Sequence, residues 1–192
     1  MSLAFAVEPL EHCWSAIYDK PDGLAYQHWC ETQQHRHGQG YNPLFERYNQ
    51  YAKAGWFVQF TVRDDGRMVG YAGVYLVPSM HSQQLVSVED TWYLLPEYRK
   101  GWNAIKFYRH MENACKAMGA VEATLTLPVT KDLGPILKRL GYSPVSEQYS
   151  KNLIFSAACD SVPPVTQHRA DSAQTVPHVA AVKEGANEAQ IQ

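Results

Sequence analysis

Several features that would classify a protein at once are missing from this chain. It has only four cysteines, Cys13, Cys30, Cys115 and Cys159. No two stand as C-x-x-C or at a zinc-ligand spacing, which excludes a structural zinc finger and a paired-thiol redox motif. Scattered thiols without a leader point to a reducing compartment. The first residues, MSLAFAVEPLEHCW, carry no basic n-region and too short an apolar core for a signal peptide. No apolar run approaches the ~20 residues of a membrane span. Neither sign of charge dominates: 17 Lys and Arg stand against 19 Asp and Glu, a net charge of −2. Nothing therefore favours a nucleic-acid or membrane surface as partner. There is no repeat at solenoid periods. These absences describe a soluble cytoplasmic protein.

Aromatic residues are absent from 156–192, which read SAACDSVPPVTQHRADSAQTVPHVAAVKEGANEAQIQ. Such a stretch buries too little apolar surface to offset its ordering entropy. The expected organisation is one domain over residues 1–155 and a flexible low-complexity tail over 156–192.

The first 155 residues are patterned. Residues 3–7 read as a short strand. A helix follows Pro9, whose missing N–H is harmless in a first turn, and Pro21-Asp22-Gly23 ends it. Further helical pieces are expected over 24–32 and 44–54, the second with Leu44, Tyr48 and Tyr51 on one side. The segment WFVQFTVR, the turn Asp64-Asp65-Gly66 and RMVGYAGVYLV form a hairpin pattern. A third long strand covers 84–95. A helix follows it, with a buried stripe of Ile105, Tyr108, Met111, Cys115 and Met118 and a stop at Gly119. A strand over 121–128, a helix over 132–140 and one or two strands within 142–155 complete the order. A meander of strands followed by β-α-β crossovers implies a mixed, mostly antiparallel sheet flanked by helices.

Three stretches carry a chemical signal. The third long strand ends in Leu94-Leu95-Pro96-Glu97-Tyr98-Arg99 and passes into a helix through Lys100-Gly101-Trp102-Asn103-Ala104. A helix start presents free backbone N–H groups and a positive dipole end, which together can seat a pyrophosphate without a metal. The helix closes on Met118-Gly119-Ala120, and Ile136-Leu137-Lys138-Arg139-Leu140-Gly141-Tyr142 follows.

In these three places the chain resembles the GNAT superfamily of acetyl-CoA-dependent N-acyltransferases. The strand end is similar to its "V-x-P-E-Y-R" junction, the helix end to "A-x-x-x-G-A", and the last stretch to "L-Y-x-K-L-G-F". The family's phosphate loop is Arg/Gln-x-x-Gly-x-Gly/Ala. Without a gap, Trp102 takes the first glycine's place and Ala104 the last position; a shift of one residue puts Gly101 and Asn103 there. The spelling is also similar to GNAT proteins of bacterial mobile elements and tailed phages.

The resemblance implies transfer of an acetyl group from acetyl-CoA to an amine by direct attack. It implies that pantetheine lies in a gap beside the third long strand, with a backbone N–H near Leu94 or Leu95 polarising the thioester. Arg99, Lys100, Gly101, Trp102, Asn103 and Ala104 are the expected phosphate loop. A carboxylate must take the amine's proton, and the strand offers Glu89 and Asp90. Being adjacent, they point to opposite faces unless a bulge intervenes. Alternation groups Asp90 with Val88, Trp92 and Leu94, and Glu89 with Ser87, Thr91 and Tyr93; the choice stays open. The family's thiolate acid falls on Leu137, so Tyr142 and Tyr149 are the substitutes.

Trp14, Tyr18, His28, Trp29, His35, His37, Tyr41 and Tyr48 make the early helices the expected acceptor side. His35-x-His37 alone is too few ligands for a metal site. Many relatives pair, so the resemblance is compatible with a homodimer without fixing the oligomeric state. Rival readings are a GNAT-like binding or regulatory protein without catalysis, supported by Trp102 and Leu137, and an acyl or aminoacyl transferase acting on a macromolecule such as modified DNA.

Overall fold

The computed structural model describes residues 3–33, 40–127 and 133–150. The chain divides into two compact units, Met1–Ser150 and Lys151–Gln192, and every element below belongs to the first. The expected tail, the end of the last predicted strand and His35-x-His37 lie outside the described residues.

The elements run β1 (Leu3–Val7), α1 (Leu10–Tyr18), α2 (Leu24–Thr32), α3 (Phe45–Lys53), β2 (Phe57–Asp64), β3 (Arg67–Pro78), β4 (Leu85–Leu94), a 3-10 turn (Pro96–Tyr98), α4 (Asn103–Ala117), β5 (Glu122–Thr124) and α5 (Gly134–Arg139). The five strands form one sheet in the order β1-β2-β3-β4-β5. The first three pairings are antiparallel and β4–β5 is parallel, so the sheet is mixed and mostly antiparallel, as the element order implied.

Alternation along β2 and β3 assigns the two faces. Phe60 and Phe5 meet α4 through Phe107 and His110. Gln59 and Tyr71 face the other way and meet Tyr18 of α1. In α1 the buried residues Leu10, Cys13, Ile17 and Tyr18 recur at helical spacing and form one apolar stripe. Residues Phe60, Val62, Val69, Ala72, Leu94 and Phe107, all fully buried, make the centre of the core. At about 25 cal/mol per Å² of apolar surface, each large side chain among them contributes on the order of 2 kcal/mol.

Three expectations are corrected. The α4 stripe is Phe107, Tyr108, Met111 and Cys115; Met118 is exposed because it is already the C-cap, past the last helical turn. The strand expected over 121–128 is a three-residue strand, Glu122–Thr124, since only these residues stay within reach of β4. Residues 142–150 form no strand and all but Tyr142 are exposed; Pro144, which cannot donate to a ladder, interrupts the stretch.

Candidate functional site

The site is built where β4 leaves its neighbour. Val86, Ser87 and Val88 pair with Glu122, Ala123 and Thr124, and the parallel ladder then stops. From Glu89 onward β4 keeps only its antiparallel partner β3. The two strands part like the arms of a V, with Glu89 at the apex, where its Oε2 accepts the Thr126 N–H at 3.2 Å.

A bulge sits at the same point. Gly73 lies opposite Thr91 and Val74 opposite Glu89, so Asp90 is the extra residue on β4. An unpaired residue reverses the facing of everything before it relative to everything after it. Glu89 therefore shares the α4 face with Trp92, whose indole stacks on Tyr108 at 4.9 Å. Tyr93 shares the opposite face with His28, stacked at 5.0 Å. The grouping expected from simple alternation, Asp90 with Trp92 and Leu94, is overturned for this reason.

The two carboxylates meet different surroundings. Glu89 lines a cavity of about 20 Å³ with Ser87, Tyr108, Glu112, Cys115 and Tyr142, room for about one water. Burial pushes its pKa up to about 7, the Thr126 N–H opposes that rise and Asp90 adds to it. Asp90 is exposed and, as the bulged residue, turns to the side of the sheet that carries the tyrosines of α1, α3 and β3. Burial raises its carboxyl too. After burial, Asp90 is among the charges that raise the phenols of Tyr18, Tyr48, Tyr71 and Tyr75.

Beyond the bulge, the backbone of β4 has an open edge. Leu95 donates its N–H to Val69 O at 2.9 Å, and an antiparallel ladder alternates inward and outward amides. The amides of Trp92 and Leu94 therefore point to the open side. Trp92 is a residue that sequence reasoning did not single out. The carbonyl of Leu94 on that side accepts Arg99 Nε at 2.8 Å.

At the mouth of the V, Pro96–Tyr98 turns the chain into α4. Gly101 takes φ +62°, with nothing within 4 Å of where a Cβ would stand. The first amide to bond back across the loop is Lys106, to Trp102 O at 2.9 Å, so the amides of Asn103, Ala104 and Ile105 are the helix's open donors. Asn103 Nδ2 ties the loop by donating to Tyr98 O at 3.1 Å. Trp102 is 68 % exposed: its indole lies outside the loop and does not plug it. Lys100 is exposed at the rim. Arg99 is otherwise engaged. It makes a bidentate pair with Glu31 of α2 at 2.8 and 2.6 Å and lies 5.0 Å over the Tyr93 ring. The pair joins the loop to α2. No sequence signal marks Glu31, whose partner is 68 residues away.

Tyr142 is brought to the Glu89 cavity, where burial first and Glu112 second raise its phenol. Tyr149 is 87 % exposed and donates to Glu147 instead. Leu137 is buried. Among the described residues no group of three or more His, Cys, Asp or Glu is placed to hold a metal, and no helix is long and apolar enough to cross a membrane.

Comparisons with known proteins agree with this fold. A family model described as the acetyltransferase (GNAT) family matches residues 23–140. Among solved structures, a ribosomal-protein-alanine N-acetyltransferase from Brucella melitensis biovar Abortus 2308 is similar at TM-score 0.59 and 14 % identity, over 80 % of this chain and 99 % of that one. A predicted acetyltransferase from Clostridium acetobutylicum, solved with acetyl-CoA, is similar at TM-score 0.59 and 12 % identity, covering 80 % and 97 %. Glucosamine-6-phosphate N-acetyltransferase from Arabidopsis thaliana is similar at TM-score 0.56 and 12 % identity, covering 80 % and 99 %. A comparison with curated proteins gives no match.

Proposed function

The chain belongs to the acetyltransferase (GNAT) family, and from that premise we propose that it moves an acetyl group from acetyl-CoA to an amine acceptor by direct attack. One observation carries the reading. The parallel ladder ends at Val88↔Thr124, leaving an edge of β4 with outward amides and the open start of α4 at its mouth. The residues present fit the coenzyme: the amides of Asn103 and Ala104 suit a pyrophosphate, Lys100 supplies charge at the rim, and the exposed Trp102 leaves the loop clear.

Acetyl-CoA supplies an activated thioester. The chain's own groups do the rest. The amides of Trp92 and Leu94 stand ready to stabilise negative charge on a carbonyl oxygen, which is worth roughly 3 kcal/mol per donor in comparable sites. Glu89 is the base in this reading. A carboxylate near pH 7 can hold a proton from an amine at neutral pH and release it, and Glu89 is pushed there by burial. Tyr142, Glu112 and the one-water cavity give that proton a route past α4. Tyr142 is also the nearer substitute for the thiolate acid, since Leu137 has no proton to give. Arg99 acts here as a strut between α2 and β4 rather than as a phosphate ligand.

Two relatives in the fold carry the names of N-acetyltransferases of a protein alanine and of an amino sugar phosphate, which supports an amine acceptor without choosing one. A second reading, a binding protein without catalysis, is favoured by the buried Leu137 and by the commitment of Arg99 to Glu31. Calorimetric titration with acetyl-CoA, followed by thiol release with an amine panel, separates the two. Absence of any binding at saturating coenzyme removes the transferase reading; binding without turnover favours the second.

A further inference from the structure

We infer that the indole of Trp102 is a stacking platform for the adenine of the coenzyme, with Lys106 beside it for the 3′-phosphate. The inference rests on the coenzyme of the acetyltransfer reading and assigns that coenzyme's nucleotide end to two side chains of α4.

Trp102 differs from every other tryptophan in the chain. Trp14 stacks on Tyr18, Trp29 on Tyr26, Trp56 on Tyr51 and Trp92 on Tyr108. Trp102, the N-cap of α4, is 68 % exposed and has no ring partner among the described residues. Its ring faces are therefore open at the surface. An open indole face is a stacking site for a nucleobase, since every base has a π-face.

The charge around it has one sign. Residues 99–110 include Arg99, Lys100, Lys106 and Arg109 and no Asp or Glu. Arg99 is spent on Glu31. Lys106 and Arg109 stand four and seven residues after Trp102, so the three share one side of the helix. That side lies opposite the buried stripe of Phe107, Tyr108, Met111 and Cys115. Lys100, Lys106 and Arg109 are exposed, and none has an ion-pair partner among the described residues. A cation in a helix's first turn opposes the macrodipole. Lys106 occupies that turn of α4, which holds no acidic residue. A bound anion would relieve both the ammonium and the dipole.

The open amides of Asn103, Ala104 and Ile105 begin at the residue after Trp102. A diphosphate seat, an open ring face and an unpaired ammonium thus share the first turn of α4. The nucleotide end of coenzyme A carries the matching groups: a diphosphate, an adenine, and a 3′-phosphate on the ribose that joins them. Stacking also supplies binding that Arg99, held by Glu31, does not.

The test is calorimetric and fluorescence titration of the full chain with adenosine 3′,5′-bisphosphate, inorganic pyrophosphate and acetyl-CoA. The bisphosphate should quench part of the indole emission, and Trp102→Ala should abolish that quenching. Trp102→Ala should weaken the bisphosphate and acetyl-CoA about tenfold, a difference of about 1.4 kcal/mol, and leave pyrophosphate unaffected. Trp102→Phe, which keeps a ring face, should recover most of the loss. Lys106→Gln should weaken the bisphosphate several-fold and leave 5′-AMP unaffected. The exposure of the indole means that the fold does not depend on it. Equal affinity of the unaltered protein and Trp102→Ala for the bisphosphate overturns the inference. So does a loss that pyrophosphate shares or that Trp102→Phe does not recover. No binding of acetyl-CoA or bisphosphate removes the platform and the transferase reading together. If Trp102→Ala weakens coenzyme as expected while no amine in the panel is acetylated, the platform stands and the transferase reading alone falls.

Discussion

At the level of single residues, the bulge at Asp90 sets which face of the sheet each of the two carboxylates meets. Glu89→Gln should lower kcat by about 10²-fold, the usual contribution of a general base, and abolish the fall in kcat/KM below about pH 7 in the pH–rate profile. The same side chain affects stability. Its folded pKa, about 7, lies above its ordinary value of 4.5. A raised carboxylate stabilises the fold below pH 4.5, and that contribution is lost as pH rises through 7. Glu89→Gln should therefore raise Tm at pH 8 and leave it unchanged near pH 4.5; an equal shift at both would refute the burial account. Trp102 is the contrasting case. Its indole contacts little, so Trp102→Ala should change unfolding free energy by no more than about 0.5 kcal/mol while leaving the loop able to bind coenzyme. In the sequence the pair Glu89 and Asp90 was visible as two carboxylates, but not which faced what, because a one-residue insertion in a ladder leaves no mark in apolar periodicity.

Among strands and helices, close backbone approach and one polar tie fix how the pieces meet. Gly70 lets β3 lie against β4: a Cβ there would stand 2.3 Å from Leu94 Cδ2 and 3.0 Å from Tyr93 O. Gly70→Ala should cost about 1–3 kcal/mol through overpacking, measured by denaturant midpoint, whereas Gly40→Ala, with nothing within 4 Å, should be near neutral. Glu8, just past β1, binds Arg63 of β2 at 2.8 Å, and the Arg63 guanidinium holds its carboxyl below the ordinary range. That contribution is present above pH 4.5 and lost as pH falls through the lowered value. Glu8→Gln should accordingly destabilise the protein by about 1 kcal/mol at pH 7 and by less at pH 3. Helix positions were legible from apolar spacing and from Gly and Pro punctuation: 24–32 was expected and α2 occupies it. The short β5 was not, since a strand's length depends on how long its neighbour stays alongside.

Across the folded domain, the sheet separates two helical layers, and Arg99 braces α2 against the open edge of β4. If the coenzyme occupies this edge, it stabilises the native state by mass action, by about 2.7 kcal/mol at a hundredfold excess over Kd, which thermal unfolding with and without acetyl-CoA measures directly. The order of elements from β1 to α5, the mixed sheet and the helix start after Pro96-Glu97-Tyr98 were readable from the residues alone, because periodicity, turn residues and caps are local properties of the chain. Other facts came only with the folded arrangement: Arg99 belongs to Glu31, Leu95 spends its amide on Val69, Trp102 stands clear, and Glu89 and Asp90 serve opposite faces. Each of these depends on a partner distant along the chain or on ladder register, and long-range register is set by the packing of the whole sheet rather than by any segment of it.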